Sequence, residues 1–199
     1  MKKRAFSILG MVLAIGVMGG FILYNSSFAA EFSADMIHKT GKETVKGKVY
    51  IKGNKIRQEM VKEGEKGVII IRMDKGVMWN LMPEEKIYME MPGMGDVVSD
   101  PEYEKKLDQL AKRKYLGKER VSGYVCKKYE YIYHDKSMGT LIQWFSEKLN
   151  YPIKTKTKGQ PGGMDMLIEY KNIKEKRLPD SLFEIPPGYT KMSIPGMPK

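Results

Sequence analysis

From Gly47 to Met91 the chain is divided into five short segments, GKVYIK, NKIRQEMV, GVIIIRM, GVMWNLM and KIYMEM, by turn signals at Gly53-Asn54, Glu63-Gly64, Asp74-Lys75-Gly76 and Pro83-Glu84-Glu85. Segments this short, this regularly punctuated and this rich in β-branched residues predict an antiparallel meander. No catalytic constellation accompanies them. Function is therefore expected from the shape and lining of a curved sheet, as a hydrophobic-ligand site rather than an enzyme site.

The alternation within the segments predicts which side is buried. Gly47, Val49 and Ile51 face one way and Lys48, Tyr50 and Lys52 the other; Ile56, Gln58 and Met60 then oppose Lys55, Arg57 and Glu59. That is the period of a half-buried strand. GVIIIRM is apolar on both sides and VMWNLM nearly so, which predicts central strands covered on both faces, or a concave face covered by other elements. A first strand is expected over Phe32 to His38, with a turn from Gly41 to Val45. Later strands are expected to Val121, in VCKKYEYIYH, TLIQWFSEK, PIKTKTK and MDMLIEYKNI, with Tyr129, Tyr131 and Tyr133 on one face. Lys154, Lys156 and Lys158 alternate with threonines and read as the solvent side of an edge strand protected by lysines. The tail LPDSLFEIPPGYTK should pack Leu182, Phe183 and Ile185 along the sheet, with residues 192–199 as a flexible end.

One helix is expected, from Val97 to Lys114. Ser99 and Glu102 form a capping box, Pro101 fits the first turn, and Lys112, Arg113 and Lys114 stand where the helix dipole favours cations. Tyr103, Leu107, Leu110 and Ala111 share a stripe that would lie on the sheet.

The N-terminus orders Lys2, Lys3 and Arg4, an apolar run from Ala5 to Tyr24, and Ser27-Phe28-Ala29. This predicts a signal peptide over residues 1–29, an exported mature domain over 30–191 and a periplasmic location, the alternative being an uncleaved inner-membrane anchor. The single cysteine, Cys126, excludes an intrachain disulfide and lies far from any lipoprotein cleavage site. With a formal net charge of +11, the chain is expected to associate with anionic membrane surfaces. Export makes nucleic acid an unexpected partner.

The pair GKVYIKGNKIRQEM and DKGVMWNLMPEEKIYMEMP, with Met89, Met91 and Pro92 in an M-x-M-P segment and a closing LFEIPPGY over residues 182–189, resembles an uncharacterised exported branch of the LolA/LolB-like lipoprotein-carrier superfamily. The resemblance spans roughly Phe32 to Tyr189. It implies a mainly β fold with some α: a curved antiparallel half-barrel, covered by a helical lid, that encloses a cavity for acyl chains. The implied partners are a lipid, a lipoprotein or another hydrophobic ligand, or an envelope protein bound by the same fold. Methionine supplies a conformable apolar wall, and burial of each methylene of a ligand contributes about 0.8 kcal/mol.

The candidate ligand-binding residues are Val49, Ile51, Ile56, Met60, Ile70, Trp79, Leu81, Met89 and Met91 on the strands, and Leu107 and Leu110 on the helix. The same residues would equally serve as ordinary core filling. Met89, Met91 and Met94 also suggest a soft-metal site for Cu(I), as a third reading, but no Cys or His lies near them, so no metal site and no cofactor is expected. His38 and His134 have no ligand spacing and read as surface or strand-end residues. No nucleophile elbow, phosphate loop or zinc motif is present, and no catalytic residue is assigned. Cys126 reads as a small buried hydrophobe. Arg57, opposite Ile56 and Met60, reads as an outward arginine.

Overall fold

The structure is a computed structural model that describes residues 30–93, 109–159 and 165–192. These residues build one sheet from β1 (Glu31–Thr40), β2 (Glu43–Lys52), β3 (Lys55–Lys62), β4 (Glu65–Arg72), β5 (Val77–Met82), β6 (Ile87–Pro92), β7 (Ala111–Val121), β8 (Tyr124–Tyr133), β9 (Thr140–Ser146), β10 (Tyr151–Lys158), β11 (Met166–Glu175) and the two-residue β12 (Thr190–Lys191). Their order is β12-β6-β5-β4-β3-β2-β1-β11-β10-β9-β8-β7. Two meanders, β1 to β6 and β7 to β11, are joined side by side through the antiparallel pairing of β1 with β11. Among the described strands only β12 runs parallel to its neighbour, β6.

The turns form where their residues permit positive φ. Glu63 and Gly64 (φ 55° and 87°), like Ser122 and Gly123 (φ 48° and 88°), place two consecutive residues there, the geometry that suits the twist of a two-residue hairpin. Irregularities bend the sheet at β1/β11, β9/β10 and β7/β8. At Gly47 a Cβ would stand 2.2 Å from the Glu59 carbonyl oxygen, so only glycine allows β2 and β3 this approach.

Register sorts the side chains of the first meander into two layers. On one, the core face, Met91, Met78, Ile71, Ile56, Ile51 and Phe32 lie in a row across the strands. A second row holds Met89, Asn80, Ile69, Gln58, Val49 and Ala34. From these rows Phe32, Ala34, Val49, Ile51, Ile56 and Ile69 join Tyr151, Ile153, Ile168 and Tyr170 of the second meander in the largest buried cluster, with Ile71 and Met78 packed against it. The opposite layer carries Trp79, Ile70, Arg57 and Tyr50 in register.

That opposite layer is covered by the C-terminal strap, residues 178–192. A 3-10 turn, Asp180–Phe183, drives the fully buried Phe183 among Val68, Ile70, Trp79, Leu81 and Leu178. Bases from successive strands then hold the strap's backbone: Lys52 donates to the Leu178 carbonyl (2.8 Å), Arg57 to Leu182 (3.0 Å) and Arg72 to Phe183 (3.2 Å). The packing of Leu182, Phe183 and Ile185 along the sheet thus follows the sequence pattern. Arg57 does oppose Ile56 and Met60, but it points under the strap rather than out to solvent.

Arg72 is the buried centre of this clasp. It makes two hydrogen bonds to Asp74 (2.8 and 2.7 Å) and an ion pair with Glu184. The hydrogen bonds from Arg72 hold the Asp74 carboxyl below its usual range. For Glu184, burial acts upward, but hydrogen bonds from Arg72 and Lys75 outweigh it and leave the carboxyl depressed. Groups depressed in the folded state stabilise it above their unfolded pKa, about 4, and lose that contribution as pH falls through the folded value. Arg72→Met is therefore expected to lower stability by about 2 kcal/mol at neutral pH, a figure kept low because both carboxylates stay partly solvated. It should also flatten the acid limb of the stability curve below about pH 4. Urea titrations of both proteins from neutral to acid pH check both effects.

Besides that of Arg57, three further expectations are corrected. The helical lid over 97–114 is not supported: residues 94–108 lie outside the described residues, of the described residues in this stretch only Gln109 and Leu110 have helical backbone, and Ala111 to Lys114 begin β7. Lys112, Arg113 and Lys114, which mimic a helix C-terminus in sequence, instead pair with Ile132, Tyr131 and Glu130 of β8. Gly117 sits inside β7 at φ 99° where the register shifts, so tertiary pairing overrides a local helix signal. Secondly, β10 is an interior strand between β9 and β11, so its lysines do not guard an edge. Thirdly, His38 is buried on β1, its ring 3.2 Å from the Thr40 hydroxyl and its pKa lowered by desolvation.

Candidate functional site

The sequence-predicted ligand residues do not converge on one surface. Val49, Ile51, Ile56 and Met60 lie in the main buried cluster on the core face, each at most 2 % exposed. Met89 is buried beside Asn80 in the same layer, and Met91, next to Met78, is half-buried. Ile70, Trp79 and Leu81 belong to the opposite layer under the strap, with Phe183. Leu110 is 52 % exposed and Leu107 lies outside the described residues. The division has a simple cause. β4 and β5 are apolar on both sides because each side is covered, and period-two alternation cannot tell which parity belongs to which layer.

The core face is closed at one end and looser at the other. Around Phe32 the packing is aromatic: its ring meets Tyr151 edge-on at 5.6 Å and lies 6.4 Å from Tyr170, which stacks on Tyr151 at 6.4 Å. Toward β5 and β6 the side chains become half-exposed methionines: Met73, Met78 and Met91. Among them Asn80, 5 % exposed, holds a side-chain amide nitrogen with no hydrogen-bond partner among the described residues. A buried amide donor without an acceptor costs about 1–3 kcal/mol, so its retention calls for an explanation. Composition could not have found Asn80: an asparagine in VMWNLM reads as one polar residue in an apolar strand, and only the register places it between Ile69 and Met89.

A cavity of about 590 Å3 lies elsewhere, across β11, β1, β2, β3 and the start of β4. Of the predicted ligand residues it includes only Met60. Its rim carries Lys48 paired with Asp35 at 2.9 Å and Lys66 paired with Glu59 at 3.3 Å, together with Lys46 and Lys171. These charges stand beside the apolar side chains of Met36, Ile37, Met60 and Val61, which also line the space. Among the described residues no cluster of three or more His, Cys, Asp or Glu could hold a metal ion. No helix of the described residues is long and apolar enough to cross a membrane. Cys126 is fully buried and its thiol is pushed up to about 11 by desolvation, in keeping with a packing role.

The profile of a domain family of unknown function, DUF4412, matches residues 28–150, which span β1 to β9. The chain belongs to the DUF4412 family. No curated protein matches this DUF4412 chain. Solved structures do. An uncharacterized conserved protein from Thermus thermophilus aligns over 94 % of this chain and 98 % of its own, at 13 % identity and a TM-score of 0.58. The MucA/MucB complex of Pseudomonas aeruginosa matches over 78 % of this chain and 56 % of the solved chain, at 11 % identity and a TM-score of 0.54. The chain thus spans little more than half of that neighbour. A LolA superfamily protein from Nitrosomonas europaea, the group named by the sequence resemblance, is also similar (12 % identity, 78 % and 90 % coverage, TM-score 0.40). At these identities the likeness is one of fold.

Proposed function

We propose that this DUF4412 chain is an exported, non-catalytic binding protein that takes a lipid, a lipoprotein acyl chain or another hydrophobic ligand against the methionine-bearing end of its core face. The observation that carries this reading is Asn80. An apolar, adaptable wall with one convergent polar group is the usual make-up of a small-molecule site, where the polar group fixes orientation. Here Met78, Met89 and Met91 supply the wall, and the unpartnered Asn80 amide would donate to a carbonyl or ester oxygen of the ligand. The basic, apolar and small-residue order of residues 1–29 supports export.

The variant Asn80→Leu separates this reading from simple packing. It is expected to leave stability unchanged or raise it by up to about 1 kcal/mol, because a buried orphan donor is removed. It should weaken binding of a pyrenyl palmitoyl ester by about tenfold, the equivalent of one lost hydrogen bond. Fluorescence titration of delipidated protein, with lipid analysis of natively purified material, measures this. Delipidated protein that takes up no ester, together with native material carrying no lipid, defeats the proposal.

A second reading, an envelope sensor that binds a protein, is supported by the fold shared with MucB, which is solved in complex with MucA. Envelope pull-downs discriminate the two, since a carrier releases its cargo to membranes and a sensor retains one defined partner.

A further inference from the structure

β7 ends the sheet, and among the described residues it pairs only with β8. Its outer edge therefore presents alternate backbone N–H and C=O groups with no ladder strand beside them among the described residues, as any terminal strand does. Between the buried Ala111 and Val121, every residue is exposed except the half-buried Gly117. Such an edge is normally short, or covered as the strap covers the sheet near β6; this one runs for 11 residues.

Its charge selects what can dock. The strand reads AKRKYLGKERV, five cations against one carboxylate. Glu119 is already paired with Lys128 at 3.0 Å, and Arg120 donates to the Gly123 carbonyl at 3.0 Å. Among the described residues no carboxylate lies within ion-pair distance of Lys112, Lys114 or Lys118. Register places Lys112 and Lys114 on one face of the strand, beside Ile132 and Glu130, and Arg113 and Tyr115 on the other, beside Tyr131 and Tyr129. The second face is an aromatic platform. Tyr115, 53 % exposed, lies 5.6 Å from the Tyr129 ring, over which the Arg113 guanidinium sits at 5.6 Å.

We propose that the β7 edge receives an extended, acidic segment of another protein as an added strand, its backbone completing the ladder and its carboxylates meeting Lys112 and Lys114. A second copy of this chain is disfavoured, since edge-to-edge pairing would oppose two lysine-rich strands. A polyanion or an anionic membrane would use the charge but has no need of a strand edge. Added-strand recognition takes its affinity from main-chain hydrogen bonds and its selectivity from alternate side chains, and β7 offers both. The shift of register at Gly117 confines the regular ladder to residues 111–115 and 118–121, so a segment of about five residues fits the first stretch. This surface is remote in strand order from Asn80 and the methionines on β5 and β6, so its test is separate from that of the ligand reading.

The probe is an acetylated, amidated peptide, Glu-Val-Glu-Tyr-Glu-Val-Glu, added to the full chain. Binding is read by fluorescence anisotropy, with amide hydrogen exchange as the positional readout. Expected are protection of amides within residues 111–115 and an affinity that falls about tenfold or more in the exposed double variant Lys112→Glu/Lys114→Glu. The same peptide N-methylated at alternate residues should not bind, a control that leaves the protein untouched. Failure to bind at millimolar peptide overturns the proposal. So does equal binding of the N-methylated peptide, of inorganic polyphosphate or of phosphatidylglycerol vesicles, protection elsewhere on the sheet, or a concentration-dependent dimer that buries β7.

Discussion

Phe32→Ala is expected to destabilise the fold by about 3–5 kcal/mol, measured as a lower urea midpoint at unchanged slope. Phe32 is fully buried where the two meanders meet, since β1 pairs on one side with β2 and on the other with β11. Its ring fills the space between Ile51, directly opposite on β2, and the stacked Tyr151 and Tyr170. Truncation removes apolar surface from burial and leaves a void that four neighbouring strands cannot easily close, because their spacing is fixed by the ladder. The edge-on contact with Tyr151 adds about 0.5–1.5 kcal/mol to what is lost. The result also decides between two pictures of the core face. A loss below about 1 kcal/mol would mean that the ring lines a space already open, and the hollow would extend to the centre of the sheet. The full loss means that this end is solid and that room for a ligand is to be sought toward β5 and β6.

The division of the core face into a packed end and a looser end was not legible in the sequence, although most strands were. Alternation in GKVYIK and NKIRQEMV gave the layers of β2 and β3 correctly, because one side of each is charged. In GVIIIRM and VMWNLM both parities are apolar, so Ile70, Trp79 and Leu81 read as companions of Val49 and Ile56 although they pack under the strap. The closing LFEIPPGY motif carried the missing information, since an apolar tail must bury itself against a second apolar layer. β7 failed for another reason. A capping box upstream and three cations in a row are local signals, whereas the pairing of AKRKYLGKERV with VCKKYEYIY is non-local and leaves no periodic mark on a strand exposed on both faces. Asn80 and Arg72 show the same limit: each is one polar letter in an apolar run, and its meaning depends on partners across strands or, for Glu184, 112 residues away.

Phe183→Ala is expected to release the strap and to cost about 3–5 kcal/mol. Phe183 is the fully buried residue of the 3-10 turn, inserted among Val68, Ile70, Trp79 and Leu81. Apart from the smaller apolar contacts of Leu178, Leu182, Ile185 and Tyr189, the remaining attachments are hydrogen bonds and ion pairs, several of them exposed, such as Lys55 to Asp180 (2.8 Å) and Lys191 to Glu90 (2.6 Å). Exposed pairs contribute roughly 0–1 kcal/mol each, so they cannot hold the segment once the ring is gone. Release should therefore be local and precede global unfolding. The amides of Leu182, Glu184, Thr190 and Met192, which bond to Pro179, Ser181, Lys86 and Tyr88, should exchange early, while β1 amides stay protected. Uncovering Trp79 should shift its emission to the red, read in a Trp144→Phe background because the chain has 2 tryptophans. If instead β1 and strap amides exchange together, the two layers form one cooperative unit and the strap is as integral to the sheet as Phe32. That outcome would place Arg72 in the folding core and predict that Arg72→Met and Phe183→Ala are non-additive, since both act on the same contact with residues 183–184.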